Sequence, residues 1–127
     1  MSAIKWRHNV PKKEWGPRGW NWLHMVAISY PSNPTITDAR ATFRRIWNHA
    51  AGLPCPECKG HAVQYIINNP PDLKNTHALQ AWVWKFHNAV NVRLKKPVMS
   101  FEDYLESYAD EICWSSLPLG SCSMSQC

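Results

Sequence analysis

Every long apolar stripe in this chain recurs at the spacing of a helix, and no segment alternates with the period of two that a strand requires. The clearest stripe is Leu79, Trp82, Phe86, Val90 and Leu94. It follows Asn75-Thr76 and is closed by Lys95, Lys96 and Pro97, with cations where a helix dipole favours them. Upstream, Trp20, Leu23, His24, Ala27 and Ile28 share a face; Pro17 is assigned to the first turn of that helix and Pro31 ends it. Thr35 or Thr37 caps a second helix presenting Ala39, Phe43, Ile46, Trp47 and Ala50, which Gly52 and Pro54 stop. A third begins near Cys55 or Pro56, carries Ala62, Tyr65 and Ile66, and ends about Asn68, ahead of Pro70-Pro71. A fifth opens at Ser100, which forms a capping-box pattern with Asp103, and carries Phe101, Tyr104, Leu105, Tyr108 and Ile112. The expected fold is all-α, a four-helix bundle with a short fifth helix.

A chain of 127 residues fits one domain. With 45% hydrophobic and only 18% charged residues, it has the apolar content for a core and not the composition of a disordered chain. No apolar run approaches the ~20 residues that span a bilayer. Residues 1–13 carry Lys5, Arg7, Lys12 and Lys13 and no apolar stretch of signal-peptide length, so the expectation is a domain made without a secretory signal. The organisation read from the pattern is an N-terminal extension over 1–14, the helical domain over 15–114, and a flexible Cys-bearing tail over 115–127.

Charge is uneven. All fourteen Lys and Arg lie within residues 1–96 against four acids, giving +10, while residues 97–127 hold five acids and no base. A basic body points either to a phosphate-bearing partner, nucleic acid or a cofactor pyrophosphate, or to solubility alone. Eight tryptophans add large flat surfaces of the kind that line interfaces and aromatic ligands, or that fill a small core.

Two constellations carry chemistry. Cys55-Pro56-Glu57-Cys58 puts two thiols on the first turn of a helix, where the N-terminus stabilises a thiolate. That is the arrangement of a redox-active dithiol, and the same spacing serves zinc. A zinc site built on Cys55, Cys58 and His61 needs a fourth ligand from His49, His77, Cys113 or Cys122, and no second pair at metal spacing is present. A small zinc-containing helical module that binds nucleic acid or protein is thus the alternative reading. The second constellation is the strip Trp82, His87, Asn88, Val90, Asn91, Leu94 and Lys96, whose polar members sit three and four residues apart beside the apolar stripe. On the first helix, Trp20 and His24 are also four apart.

Together these residues resemble the Erv/ALR-type FAD-linked sulfhydryl oxidases. The resemblance runs from about Trp15 to Tyr108 in three blocks. These are Gly16-x-x-x-Trp20-x-x-Leu23-His24 with Tyr30-Pro31, then Cys55-x-x-Cys58, then Trp82-x4-His87-Asn88-x-Val90-Asn91-x-x-Leu94-x-Lys96-Pro97. The Trp15-Gly16-Pro17-Arg18 opening and His61 are more similar to the short members carried by large DNA viruses than to mitochondrial ones.

The resemblance implies a thiol oxidase that forms disulfide bonds in protein substrates, with FAD in the mouth of the bundle and electrons passing to dioxygen to give hydrogen peroxide. It implies Cys58 as the flavin-proximal thiol and Cys55 as the thiol that exchanges with substrate. Gly16, Arg18, Trp20, His24, Tyr30, Trp82, His87, Asn88, Val90, Asn91, Leu94, Lys96 and Tyr108 are the implied FAD contacts, with no metal, no nucleic acid and no membrane span. The implied partners are protein dithiols, whether a thioredoxin-like relay or virion proteins, and a second copy in a homodimer. The implied location is host cytoplasm or virion for a viral member, or the mitochondrial intermembrane space for a cellular one. Cys122 and Cys127 are candidates for a shuttle dithiol, and Cys113 is left either reduced or bridged to another chain. Trp84 and Phe101 stand where many cellular members have a structural disulfide, and an apolar contact between them is expected instead.

Overall fold

Four helices begin at a side chain that accepts a hydrogen bond from the backbone N–H three residues on. Thr35 Oγ1 accepts from Asp38 N at 3.0 Å, Cys55 Sγ from Cys58 N at 3.2 Å, Asn75 Oδ1 from Ala78 N at 2.8 Å, and Ser100 Oγ from Asp103 N at 3.0 Å. Asp38 returns the bond to Thr35 N at 2.9 Å and completes a capping box. The computed structural model describes residues 12–116 and forms six helices there: α1 Lys12–Ser29, α2 Ile36–Ala51, α3 Pro56–Asn68, α4 Thr76–Arg93, α5 Phe101–Ser107 and α6 Ala109–Ser116. Among the described residues there is no strand, and no helix is long and apolar enough to cross a membrane.

The end of α4 is a Schellman turn built without glycine. Lys96 N donates to Asn91 O at 2.8 Å and Lys95 N to Val92 O at 3.1 Å, with Lys95 at a left-handed φ of 59°. That turn sends Lys96 back along α4.

Packing follows the apolar stripes. α1 lies against α4 and α2 against α3, while α5 and α6 fold back along α4 and α1. The core between them is Leu23, Val26, Ala27, Ile46, Ile66, Leu79, Val83 and Phe86 with their buried neighbours. On α2 the inner face is rotated from the expected one. Thr42, Ile46 and Ala50 are buried, whereas Phe43 stays 38% exposed.

The joint between α4 and α5 is polar and fully paired. Tyr104 Oη donates to Gln80 Oε1 at 2.9 Å, Gln80 Nε2 donates to Thr76 Oγ1 at 2.9 Å, and the Thr76 hydroxyl donates to Ala27 O at 2.8 Å. Asn88 clamps the approach to α5 by accepting from Met99 N at 2.9 Å and donating to Met99 O at 2.7 Å. Trp84 and Phe101 meet edge to face with centroids 5.2 Å apart, and Trp84 Nε1 donates to Met99 O at 2.7 Å. The expected aromatic contact between Trp84 and Phe101 therefore does form.

Three expectations are corrected. Helix α1 starts at Lys12, inside the extension assigned to 1–14, because Lys12, Lys13 and Glu14 are good helix formers. Pro17 consequently sits in the sixth position rather than the first turn and leaves the Lys13 carbonyl without its helical donor. The single short fifth helix is two, broken at Tyr108 (φ −114°), and the second runs through Ser115 and Ser116, which the pattern gave to the tail. Residues 1–11, the rest of the tail with Cys122 and Cys127, and the side chain of Cys113 lie outside the described residues.

Candidate active site

The N-terminal turn of α3 opens onto a cavity of about 690 Å³ walled by α1, α2, α3 and α4, within the range of small-molecule and cofactor sites. Cys58 lines it and is 9% exposed, whereas Cys55, as N-cap, is half-buried and outside it. Both are free thiols.

Their environments push them apart. The hydrogen bond from the Cys58 thiol, then that from the Cys58 backbone N–H, hold the Cys55 thiol below the usual range, with Lys12 adding a smaller share. Cys58 goes the other way. Burial pushes it up first, then its hydrogen bond to Cys55, and the Lys12 ammonium, itself hydrogen-bonded to Cys58, works against both. In the reduced dithiol Cys55 is therefore the more acidic thiol and Cys58 the less acidic, with the Lys12 cation beside the second sulfur.

The opposite wall is aromatic and basic. Trp20 stacks on His87 at 4.1 Å and 7°, and meets Phe86 edge to face at 5.0 Å. His87 Nδ1 lies 3.1 Å from Nε2 of His24, one layer deeper. Burial first, and then the electrostatic influence of a neighbour that would share the positive charge (His87 on His24, the Lys96 ammonium on His87), lower both histidines from 6.5 to about 4. Both rings are therefore neutral at physiological pH. Arg93 and Lys96 supply positive charge, Asn91 an amide, and Leu23, Ile46, Ala50, Leu53, Ala62 and Val90 an apolar lining.

Of the residues expected at the site, Gly16, Trp20, Cys58, His87, Val90, Asn91, Leu94, Lys96 and Tyr108 line the cavity together. His24 stands behind His87. Arg18 is exposed. Asn88 is occupied at Met99, Tyr30 donates to Leu73 O at 2.8 Å, and Trp82 donates to Asn69 O at 2.9 Å, so these three brace the frame. Missing from the expectation were Lys12, Gly19 and His49. A Cβ at Gly19 would meet His49 Nε2 at 3.3 Å, so glycine lets α1 pass close over that ring. The signal for His49 was available: Ile46, His49, Ala50 and Leu53 recur at helical spacing and share the cavity wall. Lys12 had no local signal, because its role depends on a helix 44 residues away along the chain.

For zinc, the described residues offer no group of three His, Cys, Asp or Glu side chains placed to hold a metal ion, and His61 Nε2 lies 4.0 Å from Glu57 instead. Among the described residues the zinc-module reading therefore has no ligand set; of its candidates, Cys122 and the Cys113 side chain lie outside them.

An all-helical bundle that sets a polarised dithiol against a cofactor-sized, aromatic and basic cavity defines a thiol redox protein. The Erv1/Alr family profile matches residues 17–109, and the chain belongs to that family. It is 37% identical over 98 residues to the FAD-linked sulfhydryl oxidase of African swine fever virus, covering 77% of this chain and 82% of that protein. It is 38% identical over 94 residues to a putative FAD-linked sulfhydryl oxidase of Invertebrate iridescent virus 6, covering 67% and 83%. The crystal structure of the FAD-binding domain of Erv1 from Saccharomyces cerevisiae superposes with a TM-score of 0.76 at 27% identity, covering 81% of this chain and 98% of that one.

Proposed function

We propose that this chain is an FAD-linked thiol oxidase that forms disulfide bonds in protein substrates. The observation that carries it is the division of the dithiol: Cys55 faces outward with the lower pKa, and Cys58 is buried in the cavity wall. The cavity suits FAD chemically. Its apolar lining and Trp20–His87 stack match a flat ring, Asn91 and His87 can hydrogen-bond polar ring edges, and Arg93 and Lys96 can meet a pyrophosphate. The unpartnered, buried Nδ1 of His24 shows that the polar groups of this wall are incomplete as they stand.

In the oxidised protein, a substrate thiolate attacks Cys55 Sγ; the substrate–Cys55 bond forms, the Cys55–Cys58 bond breaks, and Cys58 departs as a thiolate beside Lys12. A second substrate thiolate then attacks the substrate sulfur of that mixed disulfide and releases Cys55, so the substrate is oxidised and two electrons rest on the dithiol. Bound FAD supplies the acceptor for that pair and passes it to dioxygen, giving hydrogen peroxide. Lys12 offsets the burial that otherwise makes Cys58 a poor leaving group.

The substrates are protein dithiols, a thioredoxin-like relay or virion proteins, and the working unit is a homodimer. The viral relatives favour host cytoplasm or the virion; a mitochondrial yeast relative, 36% identical over 84 residues, keeps the intermembrane space as the cellular alternative. Cys122 and Cys127 are candidates to relay electrons from substrate to Cys55. Deleting residues 117–127 tests this, and equal turnover of protein dithiols by the truncated chain would end it.

The decisive experiment is the visible spectrum of the purified protein before and after dithiothreitol in air. A flavin spectrum that bleaches and recovers, with oxygen consumed and peroxide formed, is expected. A colourless protein that cannot be reconstituted with FAD would overturn the reading.

A further inference from the structure

We propose that Asn21 is a positioning residue: by accepting the Tyr108 hydroxyl it holds the joint between α5 and α6 against α1, and so keeps the Tyr108 ring in the wall of the cavity assigned to the cofactor. This rests on the FAD reading above but is tested separately from it.

Helix α6 has eight residues, fewer than the roughly 12–15 that a helix needs to persist by itself in water. It therefore owes its place to its packing on α1 and α5. Tyr108 is the pivot of that packing. Its N–H closes α5 on Tyr104 O at 3.1 Å, and its carbonyl accepts from Ile112 N at 2.9 Å, one turn into α6. The same residue lines the cavity. Whatever fixes its side chain thus fixes both the joint and that part of the wall.

Three contacts hold that side chain. The ring centroid lies 5.4 Å from that of Tyr104 and 5.0 Å from that of His24, tilted by 36° to each. The hydroxyl donates to Asn21 Oδ1 at 3.0 Å, across 87 residues of chain. Tilted ring contacts resist close approach but leave the direction of the ring loosely set, whereas a hydrogen bond is directional. A bond at the far end of the ring fixes where its long axis points. Asn21 is exposed on α1, next in sequence to Trp20 of the wall, and so pins the ring from outside. Without that bond the ring can leave the wall by a change in χ1, and the start of α6 moves with it. Because the bond is exposed, water competes for both partners, and its share is that of one ordinary neutral hydrogen bond.

The test is the rate of FAD release, followed by flavin fluorescence after dilution, alongside amide hydrogen exchange of the flavin-free protein. Asn21→Ala and Tyr108→Phe each remove one partner, and each is expected to speed release roughly fivefold, the order of one neutral hydrogen bond. The double variant is expected to release FAD no faster than either single one, because both lose the same bond. Asn21→Asp keeps an accepting oxygen at that place and is expected to restore slow release. In the flavin-free protein, the amides of α6 are expected to exchange faster in Asn21→Ala than in wild type, with those of α2 and α3 unchanged. Additive effects of the two single variants, or α6 exchange unaltered in Asn21→Ala, would overturn the proposal. A protein that takes up no FAD would strike the function proposed above, and α6 exchange would still decide whether Asn21 holds the joint.

Discussion

Two polar assemblies meet at His24 and are built to opposite rules. On one side is the α4–α5 joint, where the chain Tyr104–Gln80–Thr76–Ala27 and the Asn88–Met99 clamp close every hydrogen bond they open. On the other is the cavity wall, where His24 Nδ1 has no partner, two histidines are held neutral, and two thiols are driven apart in acidity. The rings of His24 and Tyr104 lie 5.2 Å apart, so the boundary is one side chain thick. A satisfied network fixes one conformation; an unsatisfied one stores free energy that a ligand or a reaction can collect. The joint is the frame and the wall is the machine.

Substitutions on the two sides should separate stability from turnover, and the largest effect belongs to the wall. Cys58→Ala is expected to abolish thiol oxidation while keeping bound flavin and thermal midpoint, measured by oxygen uptake and calorimetry. Residual turnover near wild type would show that Cys58 is not the cavity-side redox thiol. On the joint, Trp84→Ala loses the ring contact with Phe101 and the bond to Met99, a loss of about 3 kcal/mol in urea unfolding. An unchanged midpoint would mean that this contact does not hold the approach to α5 against α4. Tyr104→Phe strands Gln80 Oε1 in the core and should lower stability by about 1–3 kcal/mol, with turnover per folded molecule unaltered.

The wall also predicts a pH dependence that the joint does not. His24 and His87 sit near 4 when folded and at 6.5 when unfolded, so the unfolded chain binds more protons between those values. Stability is therefore complete above about 6.5 and is lost as pH falls toward 4, at no more than roughly 1.4 kcal/mol per pH unit for each histidine. Urea midpoints at pH 7 and pH 5 check this; equal midpoints would mean that the rings are not held neutral. The smallest effect is expected from Lys12→Met, which removes the cation beside Cys58. Thiolate absorbance of the reduced protein should show the higher of its two titrations moving up, with turnover falling a few-fold and the thermal midpoint constant. No movement of that titration would assign Lys12 to solvent.

Legibility divides along the same line. The four capped helix starts, the placement of Cys55 and Cys58 on a first turn, and the pairing of Trp84 with Phe101 were all readable. The first two are local, set by hydrogen bonds that reach three residues along the chain, and the third came through resemblance to a family. The break at Tyr108 was not readable, because Tyr104, Leu105, Tyr108 and Ile112 keep helical spacing across it. That break has a consequence for the site: the Tyr108 ring lies 5.0 Å from His24, and its hydroxyl donates to Asn21 on α1 at 3.0 Å. Asn88 entered as an implied ligand contact through resemblance to a family, and only the packed structure shows its amide bonded to Met99 as well.

By itself, then, the sequence determined an all-helical chain, where most of its helices start, and a dithiol at the head of one of them. Periodicity and capping are short-range, so each is written in the few residues that enact it. Only the tertiary structure decided which thiol is buried, that Lys12 reaches it, that Gly19 lets α1 close over His49, and that His24 lies against His87 across 63 residues of chain. Acidity depends on desolvation and on charges through space, and those distances exist only after the helices have packed.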